Sequence, residues 1–351
     1  MNTLVTGGAG FIGSEFVRQL LMARESASVS NEHVVCFDAL TYAGNITNLA
    51  SVQHSPGFVF VHGRLQDREL VELVLKKYKI DTVINFAAET HVDRSLHDKN
   101  PFFDTNVQGA LTVLKTAHAC KVKRYVHVST DEVYGSLATG SATEESAYRP
   151  TSPYAESKTE ADKQILSVCK DLHGMDIMIT RSTNNYGSFQ HPEKFIPVMI
   201  TNVLEGKKVP LYGTGMNIRD WLFVGDNCDA IRLVLEKGMH GEVYNIGGGH
   251  EKTNKEVLQT VLPLLNKDAS VIEFVEDRKN HDLRYSLDCA KIKKQLGWTP
   301  QVSFVEGMKQ TVQWYKENAS WWQAVKHEQE FQDYDRKHYV ELHGMKTKQE
   351  K

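Results

Sequence analysis

Thr3-Leu4-Val5-Thr6-Gly7-Gly8-Ala9-Gly10-Phe11-Ile12-Gly13 decides how this chain folds. A short β-rich run enters a loop with glycines at 7, 10 and 13, and a helix-length segment, Phe11 to Arg24, follows. Such a loop lets backbone N–H groups and the positive end of a helix approach a pyrophosphate, while Gly13 permits close packing of helix on sheet. Glycines alone are weak evidence, because tight β–α turns use them for steric reasons. Here the strand before, the helix after and Asp38, closing the next strand at ribose-binding distance, agree. The pattern predicts dinucleotide binding, with NAD favoured over NADP because a carboxylate at Asp38 accepts from a ribose diol and repels a 2′-phosphate.

Working outward, Thr3 to Thr6, His33 to Asp38, Phe58 to His62, Thr82 to Ala87, Arg124 to Ser129 and Asp176 to Arg181 read as strands. Phe11 to Arg24, Asp67 to Tyr78, Pro101 to Cys120 and Pro153 to His173 read as the helices between them. Apolar strands alternating with helices predict an α/β fold, a doubly wound parallel (Rossmann) sheet covered on both faces. After Arg181 the pattern loosens. Helices are expected over Glu193 to Glu205, Asn227 to Glu236, Asn254 to Leu265 and Phe304 to Glu317, with a strand pair of Val209 to Tyr212 and Val243 to Ile246. This divides the chain into a dinucleotide-binding domain, 1–181, to which later segments return, a smaller interleaved substrate lobe, 182–322, and a charged extension, 323–351, frayed from Met345 onward.

A net charge of −3 gives no broad basic surface, which argues against nucleic acid or an anionic membrane as partner. No apolar run reaches the ~18 residues of a membrane span, and no signal peptide precedes the first strand, so a cytoplasmic protein is expected. Cys36, Cys120, Cys169, Cys228 and Cys289 form neither a C-x-x-C pair nor a cluster of zinc spacing. They predict buried thiols in a reducing compartment and no metal site.

Chemistry concentrates in Ser129-Thr130-Asp131-Glu132-Val133-Tyr134-Gly135 and Tyr154-Ala155-Glu156-Ser157-Lys158. Ser152 as cap and Pro153 at the first helical position start a helix that puts Tyr154 and Lys158 on one face. Lys158 is then placed to lower the Tyr154 pKa and to hold a ribose hydroxyl. Thr130, Asp131 and Glu132 follow a strand at the carboxyl edge, where ligands bind in such sheets. Adjacent strand residues face opposite ways, so both carboxyls address one substrate only if the backbone leaves extended geometry there, and Gly135 favours that departure.

With these segments in hand, the chain resembles the extended branch of the short-chain dehydrogenase/reductase superfamily. Within it, the chain is similar to the nucleotide-sugar 4,6-dehydratases that act on dTDP-glucose, over residues 1 to 322. Further matching segments are Phe37 to Asn45, Ala87 to Ser95, Arg181 to Gly187, Pro192-Glu193-Lys194, Asn217 to Trp221 and Tyr244 to Gly249. The resemblance implies a closed redox cycle on bound NAD: Tyr154 takes the C4 hydroxyl proton, Thr130 bonds the C4 oxygen, Glu132 takes the C5 proton and Asp131 protonates the departing C6 hydroxyl. Asp131 must then stay protonated while Glu132 is ionised. It further implies that Gly7, Gly10, Phe11, Ile12, Gly13, Asp38, Leu40, Thr41, Leu65, Ala87, Ala88, Thr105 and Asn185, with Tyr154 and Lys158, bind NAD. Thr90 would contact the glucose. Asn184, Lys194, Phe195, Arg219, Asn254, Arg278 and His281 would surround the nucleotide, with Pro210 to Tyr212 along the thymine. A homodimer through the Pro101 to Cys120 and Pro153 to His173 helices is implied as well.

Two departures stand out. Gly63-Arg64-Leu65 has Arg64 where the family has an adenine-binding Asp, and an Arg cannot accept that hydrogen bond. Lys279-Asn280 replaces a usual Pro-Gly beside the substrate. Three rival readings remain: a C4-epimerase, which has no use for Asp131-Glu132; a dehydratase of a UDP-sugar; and a catalytically dead NAD sensor, expected to lose Tyr154 or Lys158.

Overall fold

The computed structural model describes residues 1–27, 32–277 and 281–337. From the amino terminus, β1 (Thr3–Thr6) leads through the glycine loop into α1 (Phe11–Ser26), followed by β2 (Val34–Asp38), β3 (Phe58–His62), α2 (Arg68–Lys77) and β4 (Thr82–Asn85). Next come α3 (Val92–His97), α4 (Asn100–Phe103), α5 (Ala110–Ala119), β5 (Arg124–Thr130), α6 (Pro153–Cys169) and β6 (Asp176–Ser182). The later half contributes β7 (Asn184–Tyr186), α7 (Phe195–Leu204), β8 (Val209–Tyr212), β9 (Ile218–Phe223), α8 (Val224–Lys237), β10 (Val243–Ile246), β11 (Glu251–Thr253) and α9 (Asn254–Leu264). It ends with β12 (Ile272–Val275), α10 (Ala290–Leu296), α11 (Phe304–Glu317), α12 (Ala319–His327) and α13 (Gln329–Asp335).

The described residues form a seven-stranded parallel sheet in the order β10-β6-β5-β4-β1-β2-β3. Successive side chains of a strand point to opposite faces. Leu4, Val83, Tyr125 and Ile177 therefore pack with α2, α5 and α6, while Val5, Ile84, Val126 and Met178 pack with α1 and α8. The doubly wound sheet expected from the alternation is what forms. Chain order reverses between β1 and β4, which opens a crevice at their carboxyl ends. Beyond that edge a second set of elements, α7, α9, α11, β8 and β9, packs around Trp221, Trp322 and Tyr315.

Three expectations are corrected. Val209–Tyr212 and Val243–Ile246 do not pair: β8 runs parallel to β12, and β10 joins the main sheet beside β6. All four β10 residues are buried, and their backbone groups pair with Ile179 to Ser182 of β6. The helix expected over Pro101 to Cys120 is interrupted by a wide π-type turn, Asp104–Gly109. There Asn106 Oδ1 accepts the Glu89 N–H at 2.8 Å and its amide donates to Ser157 Oγ at 2.9 Å, tying the post-β4 loop to α6. Cys120 and Cys289 are half-buried rather than buried; the five cysteines are free thiols.

Within the charged extension Val325 and Phe331 are buried; the segment expected to fray, 345–351, lies outside the described residues. Among the described residues no helix is long and apolar enough to cross a membrane. Trp322 anchors α12: it is 2% exposed, and its indole N–H donates to Tyr315 O at 2.9 Å. Trp322→Ala is expected to cost about 3–5 kcal/mol in urea unfolding, and a loss under ~1 kcal/mol would show that α12 is not integral to the fold.

Candidate active site

A cavity of about 740 Å³ lies along the carboxyl ends of β1, β2, β4, β5 and β6. Its floor is the glycine loop. Gly7 has φ +66°, and a Cβ there would lie 2.6 Å from Ala87 N, so only glycine lets the loop meet the chain leaving β4. A Cβ on Gly13 would lie 2.2 Å from Gly7 O. Gly10, Phe11, Ile12, Thr41, Leu65, Ala87, Ala88, Thr105 and Asn185 line the same cavity. Asp38 Oδ2 accepts the Ala9 N–H at 2.9 Å and Oδ1 the Leu40 N–H at 2.8 Å, so the carboxylate braces the loop at the cavity wall. Leu40 does not reach the wall: it takes a left-handed φ of 48° and turns outward. Arg64 lines the cavity at the end of β3.

At the end of β5 the chain leaves extended geometry. Thr130 is still extended, and its hydroxyl accepts the Glu132 N–H at 3.3 Å, capping a single 3₁₀ turn, Asp131–Tyr134. Gly135 ends that turn at φ +70°, where a Cβ would meet Arg149 O at 2.1 Å. The turn brings Asp131 and Glu132 to the same cavity as Thr130, Tyr154 and Lys158. Burial, seconded by the Glu132 carboxyl, pushes the Asp131 pKa up to about 8, against the pull of the Arg219 guanidinium. Asp131 Oδ1 accepts from Thr130 Oγ1 at 3.2 Å, while Oδ2 is buried without a hydrogen-bond partner.

On α6, the Ser152 side chain accepts the Ala155 N–H at 3.1 Å and Pro153 follows it, as the sequence predicts. Groups other than Lys158 dominate the Tyr154 pKa here. Burial first, then the Glu132 carboxyl, raise the phenol, partly offset by the Thr130 hydroxyl. The Lys158 ammonium instead donates to Val128 O at 2.7 Å and lies 3.4 Å from His127 Nε2. Burial brings its pKa down to about 8, with Asp162 opposing.

Thr90, expected to contact the glucose, lines the cavity, as do Asn184, Lys194, Phe195, Arg219 and His281 of the residues expected around the nucleotide. Lys194 Nζ donates to Thr90 O at 3.1 Å and lies 3.3 Å from its hydroxyl. Pro210, Tyr212 and Asn254 do not line it. Pro210 and Tyr212 sit in β8 against β12, with the Tyr212 ring edge-on behind His281 at 6.3 Å, and Asn254 is buried at the head of α9. Arg278, Lys279 and Asn280 lie outside the described residues. Sequence reading had not singled out Glu89, Glu193, Asp282 or Tyr285, which also line the cavity. Tyr285 donates to Asp282 Oδ2 at 2.5 Å and carries the Arg219 guanidinium 4.3 Å above its ring. Pro192-Glu193-Lys194 was a signal for Glu193; nothing local marks Tyr285.

The residues present fit a dinucleotide and a polar ligand beside it. The glycine cradle would be filled by a Cβ, and Asn184 Oδ1, Asn185 Oδ1 and Asp131 Oδ2 are buried acceptors without partners on the cavity wall. Among the described residues no group of three or more His, Cys, Asp or Glu side chains is placed to hold a metal ion.

Comparison with known proteins gives a consistent result. The family model described as GDP-mannose 4,6 dehydratase matches residues 4–311. A dTDP-glucose 4,6-dehydratase of Streptomyces niveus is 47% identical over 326 residues, covering 93% of this chain and 96% of the relative. A crystal structure of a dTDP-glucose 4,6-dehydratase from Streptomyces venezuelae with NAD and TYD bound superposes with a TM-score of 0.89 at 50% identity, covering 93% of this chain and 100% of that one. A UDP-glucose 4-epimerase of Thermotoga maritima shares the fold at 29% identity and a TM-score of 0.83, covering 91% of this chain and 100% of that one.

The raised Asp131 pKa has a consequence for stability. Because the folded state holds this proton up to about pH 8 and the unfolded chain only to about 3.8, the stabilisation is full below the lower value and lost as pH rises through the upper one. Asp131→Asn is expected to raise Tm at pH 8 by about 2–4 °C and to leave it unchanged at pH 4. Equal Tm shifts at both pH values would refute a protonated, buried Asp131.

Proposed function

The chain belongs to the GDP-mannose 4,6 dehydratase family and within it to the dTDP-glucose 4,6-dehydratases, and from that premise we propose that it converts dTDP-glucose to dTDP-4-keto-6-deoxy-glucose with NAD held over the glycine loop. One observation carries the choice of a lyase over an epimerase: the buried Asp131, whose pKa of about 8 keeps it protonated at neutral pH, stands beside Glu132 in the cavity of Tyr154 and Lys158. An epimerase, which only oxidises C4 and reduces it again, has no task for such an acid.

Bound NAD supplies the acceptor of hydride from the sugar C4 and its donor to C6. Tyr154 acts as a phenolate in taking the proton of the C4 hydroxyl, an ionisation that burial of the phenol opposes and that the positive charge of bound NAD⁺ would favour, and Thr130 hydrogen-bonds the C4 oxygen. The resulting 4-ketone acidifies C5–H, so Glu132 removes that proton while Asp131 gives its own to the C6 hydroxyl, which leaves as water. Return of a proton to C5 and of hydride to C6 completes the product. Lys158, its ammonium fixed by Val128 O at 2.7 Å, would hold a cofactor ribose hydroxyl, and Arg219, whose Nη1 and Nη2 donate to Ile218 O and Asp282 O at 2.8 and 3.0 Å, would bring its positive charge to the diphosphate. We also infer that the enzyme works in the cytoplasm, which suits five free thiols, and as a homodimer through α5 and α6.

Incubation with dTDP-glucose is expected to yield the 4-keto-6-deoxy product, read by its absorbance in alkali; turnover of UDP-glucose alone would replace this reading with its UDP counterpart. Elimination is expected to slow as pH rises through about 8, the range in which Asp131 loses its proton. Asp131→Asn should slow elimination by about 10²-fold or more while sparing C4 oxidation, followed as reduced nicotinamide at 340 nm. Equal loss of both steps would overturn the assigned roles.

A further inference from the structure

Behind the sugar-side wall of the cavity, the C-terminal helix closes on a half-buried cation. Arg94, on α3, is sandwiched between two rings, with its guanidinium carbon 3.9 Å from the Tyr42 ring centre and 4.7 Å from that of Tyr334. Its Nε pairs with Glu193 Oε2 at 3.2 Å and its Nη1 with Glu330 Oε1 at 2.9 Å. Glu330 and Tyr334 belong to α13, which lies beyond residue 311, where the family match ends. The same helix packs Phe331 on the His191 ring at 5.8 Å and Tyr334 on His91 at 5.2 Å. Thus α13 touches both segments, around residues 91 and 191, that frame this part of the wall.

The Glu193 side chain is wholly inaccessible to solvent. A carboxylate so buried is tolerable only while its cation is held in place and kept dry, because the pair's attraction weakens steeply once water enters. Two of the four groups around Arg94 come from α13. Glu193 in turn precedes Lys194, whose ammonium holds the Thr90 carbonyl across the cavity at 3.1 Å.

We propose that α13 is a strap that positions Glu193 and Lys194 on the sugar-side wall by clamping Arg94, with Glu330 and Tyr334 as positioning residues. Its substrate readout rests on the dTDP-glucose reading above; its mechanics do not. The clamp acts directly on residues 191–195, whereas its link to the glycine loop is indirect, through the Tyr42 segment, whose Asn45 N–H donates to Ala9 O at 3.0 Å.

The test uses the full chain with NAD, comparing Glu330→Ala combined with Tyr334→Ala, the conservative Glu330→Asp, and Gln332→Ala on the exposed side of the same helix. In the double variant, amide hydrogen exchange over residues 191–195 is expected to accelerate about tenfold or more, with exchange over residues 7–13 and NAD content unchanged. KM for dTDP-glucose should rise about fivefold while kcat stays within about twofold; Glu330→Asp and Gln332→Ala should behave as the unmodified chain does. Unchanged exchange over 191–195, or equal acceleration over 7–13, would overturn the strap. If the unmodified chain makes no product from dTDP-glucose, the functional reading fails, and the exchange data still decide the strap.

Discussion

A row of buried polar side chains beneath the cavity holds the rest in register. Parallel pairing sets Thr6 beside Asn85 and Asn85 beside His127. Thr6 Oγ1 donates to Asn85 Oδ1 at 2.5 Å, the Asn85 amide meets His127 Nδ1 at 3.1 Å, and His127 Nε2 lies 3.4 Å from Lys158 Nζ. Buried polar groups are costly unless paired, so a slip of any one strand would strand several of them at once. The row therefore ties the strand that opens the glycine loop, the strand that leads to Ala87 and the strand that ends in Thr130 to the helix bearing Tyr154. Burial first, and then the neighbouring ammonium, hold the His127 imidazole well below its usual range and hence neutral.

Burial also makes the chemistry. In water Asp131 would be ionised at neutral pH and Lys158 fully charged; inside the cavity wall both are moved to about 8, in opposite senses relative to their ordinary values. Each shift costs folding stability, because each disfavours the form that water prefers. The sheet bears that cost, with apolar layers on both faces whose strand residues are almost wholly inaccessible. A rigid scaffold with a locally uncomfortable site is the expected division of labour in an acid–base enzyme.

Much of this was legible in the sequence because it is local. The glycine spacing, the alternation of β and α segments, and the Ser152-Pro153 start of α6 depend on residues within a few positions of one another, and helix α11 occupies the expected Phe304–Glu317. The condition set on Asp131 and Glu132, that the backbone turn after Thr130, also rested on local chemistry: a hydroxyl cap and a glycine at φ +70°. The misplaced partner of Val243–Ile246 had no such signal, since a short buried apolar strand can join either sheet and its pairing with β6 is made only in the tertiary structure. The wide turn at Asp104–Gly109 was hidden for a similar reason, because it exists to carry Asn106 to Glu89 and Ser157.

The sequence by itself determined the doubly wound sheet and the glycine cradle, because periodicity and loop sterics are written into neighbouring residues, and it marked the side chains proposed for acid–base work. Only the tertiary structure showed that burial raises the Asp131 pKa to about 8, that the Lys158 ammonium donates to Val128 O, and that Glu193 is paired through Arg94 to a helix near the chain's end. Proton affinity and ion pairing are sums over every group that burial brings near, and two such groups, Arg94 and Glu330, lie 236 positions apart along the chain.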